Sequence, residues 1–478
     1  MTPKIIRFKQ IKHHWEIYLL VLPAMAMISL FQYYPAASGV YHSFFRWNGA
    51  DISEYVGWEN YLTLLKTPEF WSSFKIAFIL GAWNIVKMIP ALAVAVCIHR
   101  SRSDWLQYLY RLLFVVPMVI PGLVVALIWR GLFFESTNGL LNRMLYSTGI
   151  FNLLCHFDTW FNWGGIFTPA HSPAWLGDPQ LILVACIVWG FPWVGSFAVL
   201  THLAKLQGIG KEIYEAAEID GVSWWSKFTR IELPMLMGSV YLLLVFVIID
   251  TIKDAGMVLA LAGMEGGPGG KVTVPALFMI QKAFLYQEMG AACAIGIILT
   301  LVVMFLQKLS RVLLEWGEAP WWHRAGWQSV LVLMGMAMLY ARVMVPLAVF
   351  VLLLALPWGA ILPKRRSVPR LAMESAGIDP VINEMLIQER EQHRAARLAR
   401  ASTPHVIARR RMAGFLLTTL RHGFIAFVLA MALLPLYLMM VVSLKANTQF
   451  YEAPAVITHP SHWENWTFAW EKVSPNSL

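Results

Sequence analysis

The sequence has few charged residues. Of its 478 residues, 14% are Asp, Glu, Lys or Arg and 58% are hydrophobic. Soluble domains carry about 25% charged and about 45–50% apolar residues. A chain with so little charge lacks the polar surface that a water-soluble globular protein of this size needs. The composition therefore predicts an integral membrane protein, and its 22 Trp residues are typical of the aromatic belts at membrane interfaces.

Cysteine and catalytic motifs are also scarce. The four cysteines are scattered and form no CxxC pair, which argues against a disulfide framework or a zinc site. No HExxH or Asp-x-Asp motif is present. Gly270 and Lys271 match the end of a phosphate-binding loop, but Glu265 replaces its first glycine and Val272 follows the lysine. We therefore expect no catalytic residue, no metal site, no cofactor and no ATPase site in this chain.

Long apolar runs dominate the first two-thirds of the chain. A membrane-spanning helix requires about 20 apolar residues, and runs of about this length occupy residues 17–38, 74–98, 110–133, 180–204, 234–262 and 289–308. Basic residues precede the first run and then cluster in alternate loops. Because cytoplasmic loops are enriched in Lys and Arg, this pattern predicts six helices with a cytoplasmic N-terminus. It also accounts for the net charge of +10 without nucleic acid.

Three segments follow the sixth run. Residues 327–361 are apolar around Arg342, residues 363–421 are polar and strongly basic, and residues 423–443 are apolar. As one helix, residues 327–361 would extend about 50 Å, whereas the bilayer core measures about 30 Å. If both flanks are cytoplasmic, this run forms a hairpin or a re-entrant element. A single long tilted helix is the alternative. The count is then about nine membrane segments in an all-α protein.

One loop carries the most specific pattern in the sequence. Residues 215–217 read Glu-Ala-Ala, Gly221 follows after three residues, and Ile231-x-Leu233-Pro234 follows after nine more. Residues 211–220 favour a helix, Gly221 can adopt the positive φ that ends it, and Pro234 suits the first turn of the next helix. The loop therefore predicts a short helix on the cytoplasmic face. An ordinary amphipathic helix at the interface would not require this Gly and Pro spacing.

This pattern resembles the EAA loop of ABC import permeases. Asp254, the glycines of residues 266–270 and Thr273 are similar to the segment after the fifth helix in sugar permeases of the maltose-transporter type. Lys253 departs from that pattern, as do residues 264–265. The resemblance covers residues 15–310 and implies a six-helix importer permease. It also implies that the loop contacts an ATPase through Glu215, Ala216, Ala217, Asp220, Gly221, Ile231, Leu233 and Pro234.

The resemblance also implies partners and a location. A permease of this type binds two ABC ATPase subunits, or an ATPase homodimer, and ATP and Mg are held there. It works with a second permease subunit, an extracytoplasmic solute-binding protein and the lipid bilayer. We therefore expect a carbohydrate or sugar-like substrate and a location in a bacterial or archaeal cytoplasmic membrane.

The C-terminal region resembles the beginning of a second maltose-type permease. The similarity lies in residues 433–437, 443–447 and 463–467, and an additional anchor helix is the alternative. The expected division of the chain is a cytoplasmic N-terminus (1–14), a permease domain (15–310) with its coupling loop (205–234), a hydrophobic hairpin (311–362), a basic cytoplasmic linker (363–421) and the first helix and outer loop of an incomplete second permease domain (422–478).

Charged residues within the apolar runs indicate a substrate path. Charges in a membrane are costly and usually functional, and sugars favour carboxylates and aromatic rings. We therefore expect Lys87, Trp193, Asp250 and Asp254 to line this path. Alternatively, Asp250 and Asp254 pair with Lys253 at helical spacing, and Lys87 is a further candidate partner of Asp250.

Two other functions compete with transport. A polytopic membrane enzyme, such as a lipid-linked glycosyltransferase, would need clustered acidic or His residues in a loop. A membrane scaffold would use the basic segment 363–421 to bind anionic lipid. Neither function accounts for the pattern at residues 211–234.

Overall fold

The computed structural model describes residues 15–101, 103–161, 164–315, 404–446, 448–449 and 455–473. These residues are mostly helical, as predicted. The predicted N-terminal segment 1–14, the hairpin within 311–362 and most of the linker 363–421 lie outside the described residues.

The chain begins with one long apolar helix and a small sheet. Helix α1 (Trp15–Ile28) continues through a π-helical turn (Ser29–Tyr33) into α2 (Tyr34–His42). Strands β1 (Phe45–Trp47) and β2 (Ser53–Tyr55) pair antiparallel, with Arg46 opposite Glu54. Seven helices follow up to residue 161: α3 (Glu59–Lys66), α4 (Pro68–Val86), α5 (Met88–His99), α6 (Asp104–Val115), α7 (Gly122–Ile128), α8 (Leu140–Ser147) and α9 (Ile150–Phe161).

The remaining described elements are also helices. They are α10 (Leu181–Val188), α11 (Ser196–Gln207), α12 (Lys211–Ile219), α13 (Trp224–Lys227), α14 (Leu233–Lys253), α15 (Gly256–Ala262), α16 (Pro275–Ile280), α17 (Met289–Glu315), α18 (Pro404–Ser443) and α19 (Glu464–Val473). A π-helical turn (Phe228–Glu232) joins α13 to α14.

Five helical segments of the described residues are long and apolar enough to cross a membrane. They are Leu19–His42, Pro68–His99, Trp224–Lys253, Met289–Lys308 and Gly414–Ser443, and each overlaps an apolar run predicted from the sequence. A sixth candidate joins Asp104–Val119 to Gly122–Phe133 with a bend of 84°. The bend falls between Pro117 and Pro121, where the ring of proline removes a backbone donor.

The run at 180–204 is not one continuous helix, contrary to the prediction. Helix α10 ends at Val188 and α11 begins at Ser196. Between them Gly190 and Trp193 have φ angles of 78° and 59°, which a right-handed helix cannot contain. The run at 234–262 is also divided. Helix α14 ends at Lys253, and the carboxylate of Asp254 accepts a hydrogen bond of 2.7 Å from the backbone N–H of Gly256 in α15.

Two apolar cores hold these helices together. One contains Phe70, Ile182, Leu261, Leu277 and Ile295. The other joins five helices through one fully buried side chain each: Ile98 of α5, Phe114 of α6, Leu203 of α11, Leu236 of α14 and Ile425 of α18. Between helices in a membrane, close van der Waals packing of such side chains, rather than their removal from water, stabilises the helix contacts. Helix α18 is therefore packed into the same core as the preceding permease-like helices.

The first turn of α17 lies against the backbone of β1 and generates a prediction about stability. A Cβ atom on Gly290 would overlap the carbonyl oxygen of Phe45. Gly290→Ala should lower the free energy of unfolding by about 1–3 kcal/mol, because the backbone of β1 or α17 must shift to make room for the added methyl group. Gly423→Ala is the control, since that helical position has no neighbour within 4 Å. Thermal unfolding in detergent should show a lower midpoint for Gly290→Ala alone. Equal midpoints for the two variants would contradict this packing.

Candidate functional site

The loop at residues 211–234 folds as its sequence predicts. Helix α12 ends at Ile219, and Gly221, whose φ is 64°, turns the chain away two residues later. The N–H of Gly221 donates to the carbonyl of Glu218, and that of Val222 donates to the carbonyl of Ala217, both at 3.0 Å. These two bonds form the Schellman motif that ends a helix at glycine. Ser223 then caps α13 by accepting a 3.2 Å bond from the N–H of Ser226.

The eight residues predicted to couple to an ATPase fall into two groups. Those on the outer side of the loop are exposed: Glu215, Ala216, Asp220 and Gly221. Those facing the protein are buried or half-buried: Ala217, Ile231, Leu233 and Pro234. The first group is available for contact with another protein. The second anchors the loop to the helices beneath it.

A buried ion pair fixes the loop to the end of α5. The guanidinium of Arg100 donates from Nε to Oε1 of Glu232 at 2.9 Å and from Nη2 to Oε2 at 2.6 Å. The Glu232 side chain is fully buried and that of Arg100 is 11% exposed. Arg100 also lies 4.3 Å from the ring centroid of Trp224. This bidentate geometry is the strongest form of an Arg–carboxylate contact.

Two further contacts brace the same region. The hydroxyl of Tyr214 in α12 is hydrogen-bonded to Nε2 of His99 at 2.9 Å. Burial, together with the nearby Glu232 carboxylate, raises the pKa of Tyr214 to about 12. Tyr214 therefore stays a neutral phenol at physiological pH. From α18, Arg421 donates a 2.6 Å bond to the carbonyl oxygen of Arg100.

Sequence reasoning missed the ion pair. In the sequence Arg100 is only one of the basic residues that cluster in alternate loops, and Glu232 is the variable position of Ile231-x-Leu233-Pro234. The only signal was an acidic residue at the start of an apolar run, where charges are costly. The pair does place the loops around residues 100 and 230, both predicted to be cytoplasmic, at the same end of the helices.

A second candidate site is a cavity of about 680 Å³ between α4, α11 and α14. It brings together three of the four residues predicted to line a substrate path, Lys87, Trp193 and Asp250, whereas Asp254 does not line it. Asn84, Trp189 and Thr251 complete the polar part of the wall. Sequence reasoning missed these last three because only the fold shows which helices are adjacent.

The charges in this cavity do not pair with each other. Lys87 Nζ donates a long bond of 3.4 Å to the carbonyl of Trp189 and lies 5.9 Å and 6.0 Å from the ring centroids of Trp189 and Trp193. Within the described residues, no carboxylate lies within 4.0 Å of Lys87, and none pairs with Lys253. The proposed partners Asp250 and Asp254 therefore form no ion pair in the described part of the chain.

A smaller cavity of about 160 Å³ lies beside the break between α10 and α11. Its wall is almost entirely apolar and includes Trp129, Phe191 and Pro435. It lacks charged groups, so the larger cavity is the stronger candidate for a substrate site.

Comparison with known proteins identifies the kind of protein to which this geometry belongs. Residues 88–315 match the family described as binding-protein-dependent transport system inner membrane component. The matched segment contains the loop at 211–234 and most of the cavity wall. The chain is a translocation-path subunit of an ABC importer. It is also a multi-pass membrane protein, with five candidate spans in its described residues.

Several characterised permeases are similar to this one. It is 28% identical over 290 residues to the sulfoquinovosyl glycerol transport system permease protein SmoG of Agrobacterium fabrum, covering 59% of this chain and 84% of that protein. It is 28% identical over 297 residues to the diacetylchitobiose uptake system permease protein NgcF of Streptomyces coelicolor, covering 60% and 78%. The arabinooligosaccharides transport system permease protein AraP of Bacillus subtilis is 27% identical over 300 residues, covering 61% and 86%.

The fold is similar to that of a solved transporter. The crystal structure of a bacterial alginate ABC transporter, in complex with its alginate pentasaccharide-bound periplasmic protein, superposes with a TM-score of 0.51 at 20% sequence identity. The match covers 64% of this permease and 95% of the compared chain. It confirms a permease fold for the matched region.

The ion pair beneath the loop yields a second prediction. Glu232→Ala leaves the buried charge of Arg100 without a partner, so unfolding should become easier by about 3–5 kcal/mol. Adding Arg100→Met should recover a large part of this loss, as measured by a double-mutant cycle on the thermal unfolding free energy. Glu54→Ala is the control, because the Arg46–Glu54 pair is 61% and 68% exposed and should contribute less than about 1 kcal/mol. If the losses of unfolding free energy in Glu232→Ala and Arg100→Met simply add in the double variant, the pairing is contradicted.

Proposed function

We propose that this permease imports a carbohydrate and that its substrate passes through the cavity lined by Lys87, Trp193 and Asp250. The observation that carries the proposal is the combination, in that cavity, of aromatic rings with two charged groups that form no ion pair among the described residues. Rings stack on sugar faces, and polar groups fix hydroxyls. The similar permeases are named for sulfoquinovosyl glycerol, diacetylchitobiose and arabinooligosaccharides, which supports this class of substrate.

Coupling to ATP hydrolysis would occur through the loop at residues 211–234. Its outer side offers Glu215, Ala216, Asp220 and Gly221 to a partner, and the small Ala216 permits close approach. Beneath it, the Arg100–Glu232 ion pair joins the loop to α5, and the continuous path from α13 into α14 leads to the cavity at Asp250. A displacement of the loop would therefore reach α5 and α14, which both contribute residues to the cavity wall.

The partners follow from this arrangement. The proposed complex contains two ABC ATPase subunits that hold ATP and Mg, a second permease subunit and an extracytoplasmic solute-binding protein. The alginate transporter supports the last of these, because it was solved with a periplasmic protein bound. We place the complex in a bacterial or archaeal cytoplasmic membrane with the N-terminus inside. On this view the chain has no ATPase site of its own. No observation favours an enzyme or a scaffold.

The C-terminal region is proposed to be the start of a second permease domain, giving a six-helix core and about nine membrane segments in all. Within helix α18, Arg421 contacts Arg100 at the coupling-loop end, and the helix ends at Ser443, about 33 Å farther along its axis. Beyond it, the N–H of His462 donates a 2.9 Å bond to the carbonyl of Leu444. This direction supports the similarity of residues 433–467 to a first permease helix. The boundaries 15–310, 311–362, 363–421 and 422–478 are part of the same proposal.

The conformation of Gly221 gives a direct test of the coupling loop. Gly221→Val places a β-branched residue at positive φ, which costs about 1–2 kcal/mol locally and should misplace Glu215 relative to the ATPase. We expect reduced co-purification of the ATPase and at least a tenfold loss of substrate-stimulated ATP hydrolysis, at unchanged abundance in the membrane.

The matched control is Gly208→Ala. Gly208 lies just before the loop in the right-handed helical region, with φ of −76°, so it should tolerate a side chain. Wild-type ATPase association and hydrolysis in Gly221→Val, at equal abundance, would contradict coupling through this loop.

A further inference from the structure

We propose that the cavity selects a saccharide bearing an anionic group, a carboxylate or a sulfonate, which Lys87 binds while Asp250 accepts hydrogen bonds from the sugar hydroxyls. This inference rests on the proposed function, because it specifies the substrate class of the same cavity. It adds the requirement that the substrate carries a negative charge, which carbohydrate import alone does not demand.

The first observation is the surroundings of Lys87. Its ammonium group has one long bond to a backbone carbonyl and two indole rings at about 6 Å. A charge at membrane depth is costly unless it is paired. Of the described residues, none supplies a carboxylate within 4.0 Å of Lys87. An anionic substituent on the ligand would supply the missing partner.

The second observation is a surplus of hydrogen-bond donors. The indole N–H groups of Trp189 and Trp193 are buried, and neither has an acceptor among the described residues. Buried donors without acceptors are rare in folded proteins because each costs free energy. Both rings line the cavity beside Lys87. Protein atoms cover both N–H groups, so an oxygen of a bound carboxylate or sulfonate would accept from them only after the indole ring turns toward the cavity.

The third observation is the position of the Asp250 carboxylate, which would accept hydrogen bonds from the sugar. Asp250 lines the same cavity on α14, and its neighbour Thr251 accepts a 3.1 Å bond from the amide of Asn84 on α4. This bond ties α14, which carries Asp250, to α4, which ends one residue before Lys87. The cavity therefore offers one cation and one carboxylate that do not neutralise each other. An acidic sugar satisfies both, with its anion at Lys87 and its hydroxyls at Asp250, whereas a neutral sugar leaves Lys87 unpaired.

The test compares acidic sugars with their neutral counterparts on the assembled transporter. The permease, purified with its partner subunits in nanodiscs without nucleotide, is titrated calorimetrically with digalacturonate and its dimethyl ester, and with 6-sulfonated glucose and glucose. We expect at least one acidic member to bind tenfold or more tightly than its neutral counterpart. The pair that shows the preference tells carboxylate from sulfonate. Lys87→Met should abolish the preference without weakening the neutral sugar, and Lys87→Arg should retain it.

Lys282→Met is the matched control. Lys282 also lies near two aromatic rings, at 5.8 Å from Phe278 and 5.1 Å from Tyr286, but it pairs with Glu288 at 2.8 Å and does not line the cavity. It should leave the preference intact.

Equal binding of acidic and neutral sugars by the wild type would overturn the charge requirement and leave carbohydrate import standing. The charge requirement would also be overturned if Lys87→Met weakened the binding of acidic and neutral sugars equally. If none of the four sugars binds to a transporter that still hydrolyses ATP with its binding protein, the proposed carbohydrate function itself fails.

Discussion

The Arg100–Glu232 ion pair is the interaction on which the functional geometry depends. It is bidentate, almost fully buried and bridges 132 residues of sequence. Such a pair contributes little net stability but is costly to break, because removing one partner strands a buried charge. It therefore holds the exposed loop in one position relative to α5 and α14. Stacking on Trp224 and the bond from Arg421 to the Arg100 carbonyl extend this brace to α13 and α18.

The same brace links the loop to the cavity. Lys87 immediately precedes α5, and α14 carries Asp250, so each helix held by the ion pair has a charge of the cavity on it or next to it. A rigid helix transmits displacement along its axis, whereas a flexible loop does not. The structure thus places the exposed loop near one end of α5 and α14 and the polar cavity near the other end of the same two helices. In the proposed complex, this arrangement gives a physical reason why an ATPase that contacts the loop would alter the cavity.

Sequence reasoning reached the parts of this account that depend on local rules. The end of α12 just before Gly221 follows from the need for positive φ, and five apolar runs became long helices because hydropathy reports on burial in lipid. The prediction of one continuous helix over residues 180–204 was wrong because hydropathy does not register the backbone break at Gly190 and Trp193. The ion pair and the roles of Asn84, Trp189 and Thr251 depend on contacts between distant segments, which no local pattern contains.

The central claim is that the exposed outer side of the loop contacts an ATPase, and site-specific photo-crosslinking tests it most directly. A photoreactive residue at Ile219, which is 75% exposed beside the Glu-Ala-Ala sequence, should form an adduct with the ATPase subunit that strengthens or weakens with nucleotide. The same residue at Phe284, which is 67% exposed between α14 and α17 at the other end of the helices, should form none. An ATPase adduct at Phe284, or none at Ile219 in a transporter that hydrolyses ATP, would contradict the account.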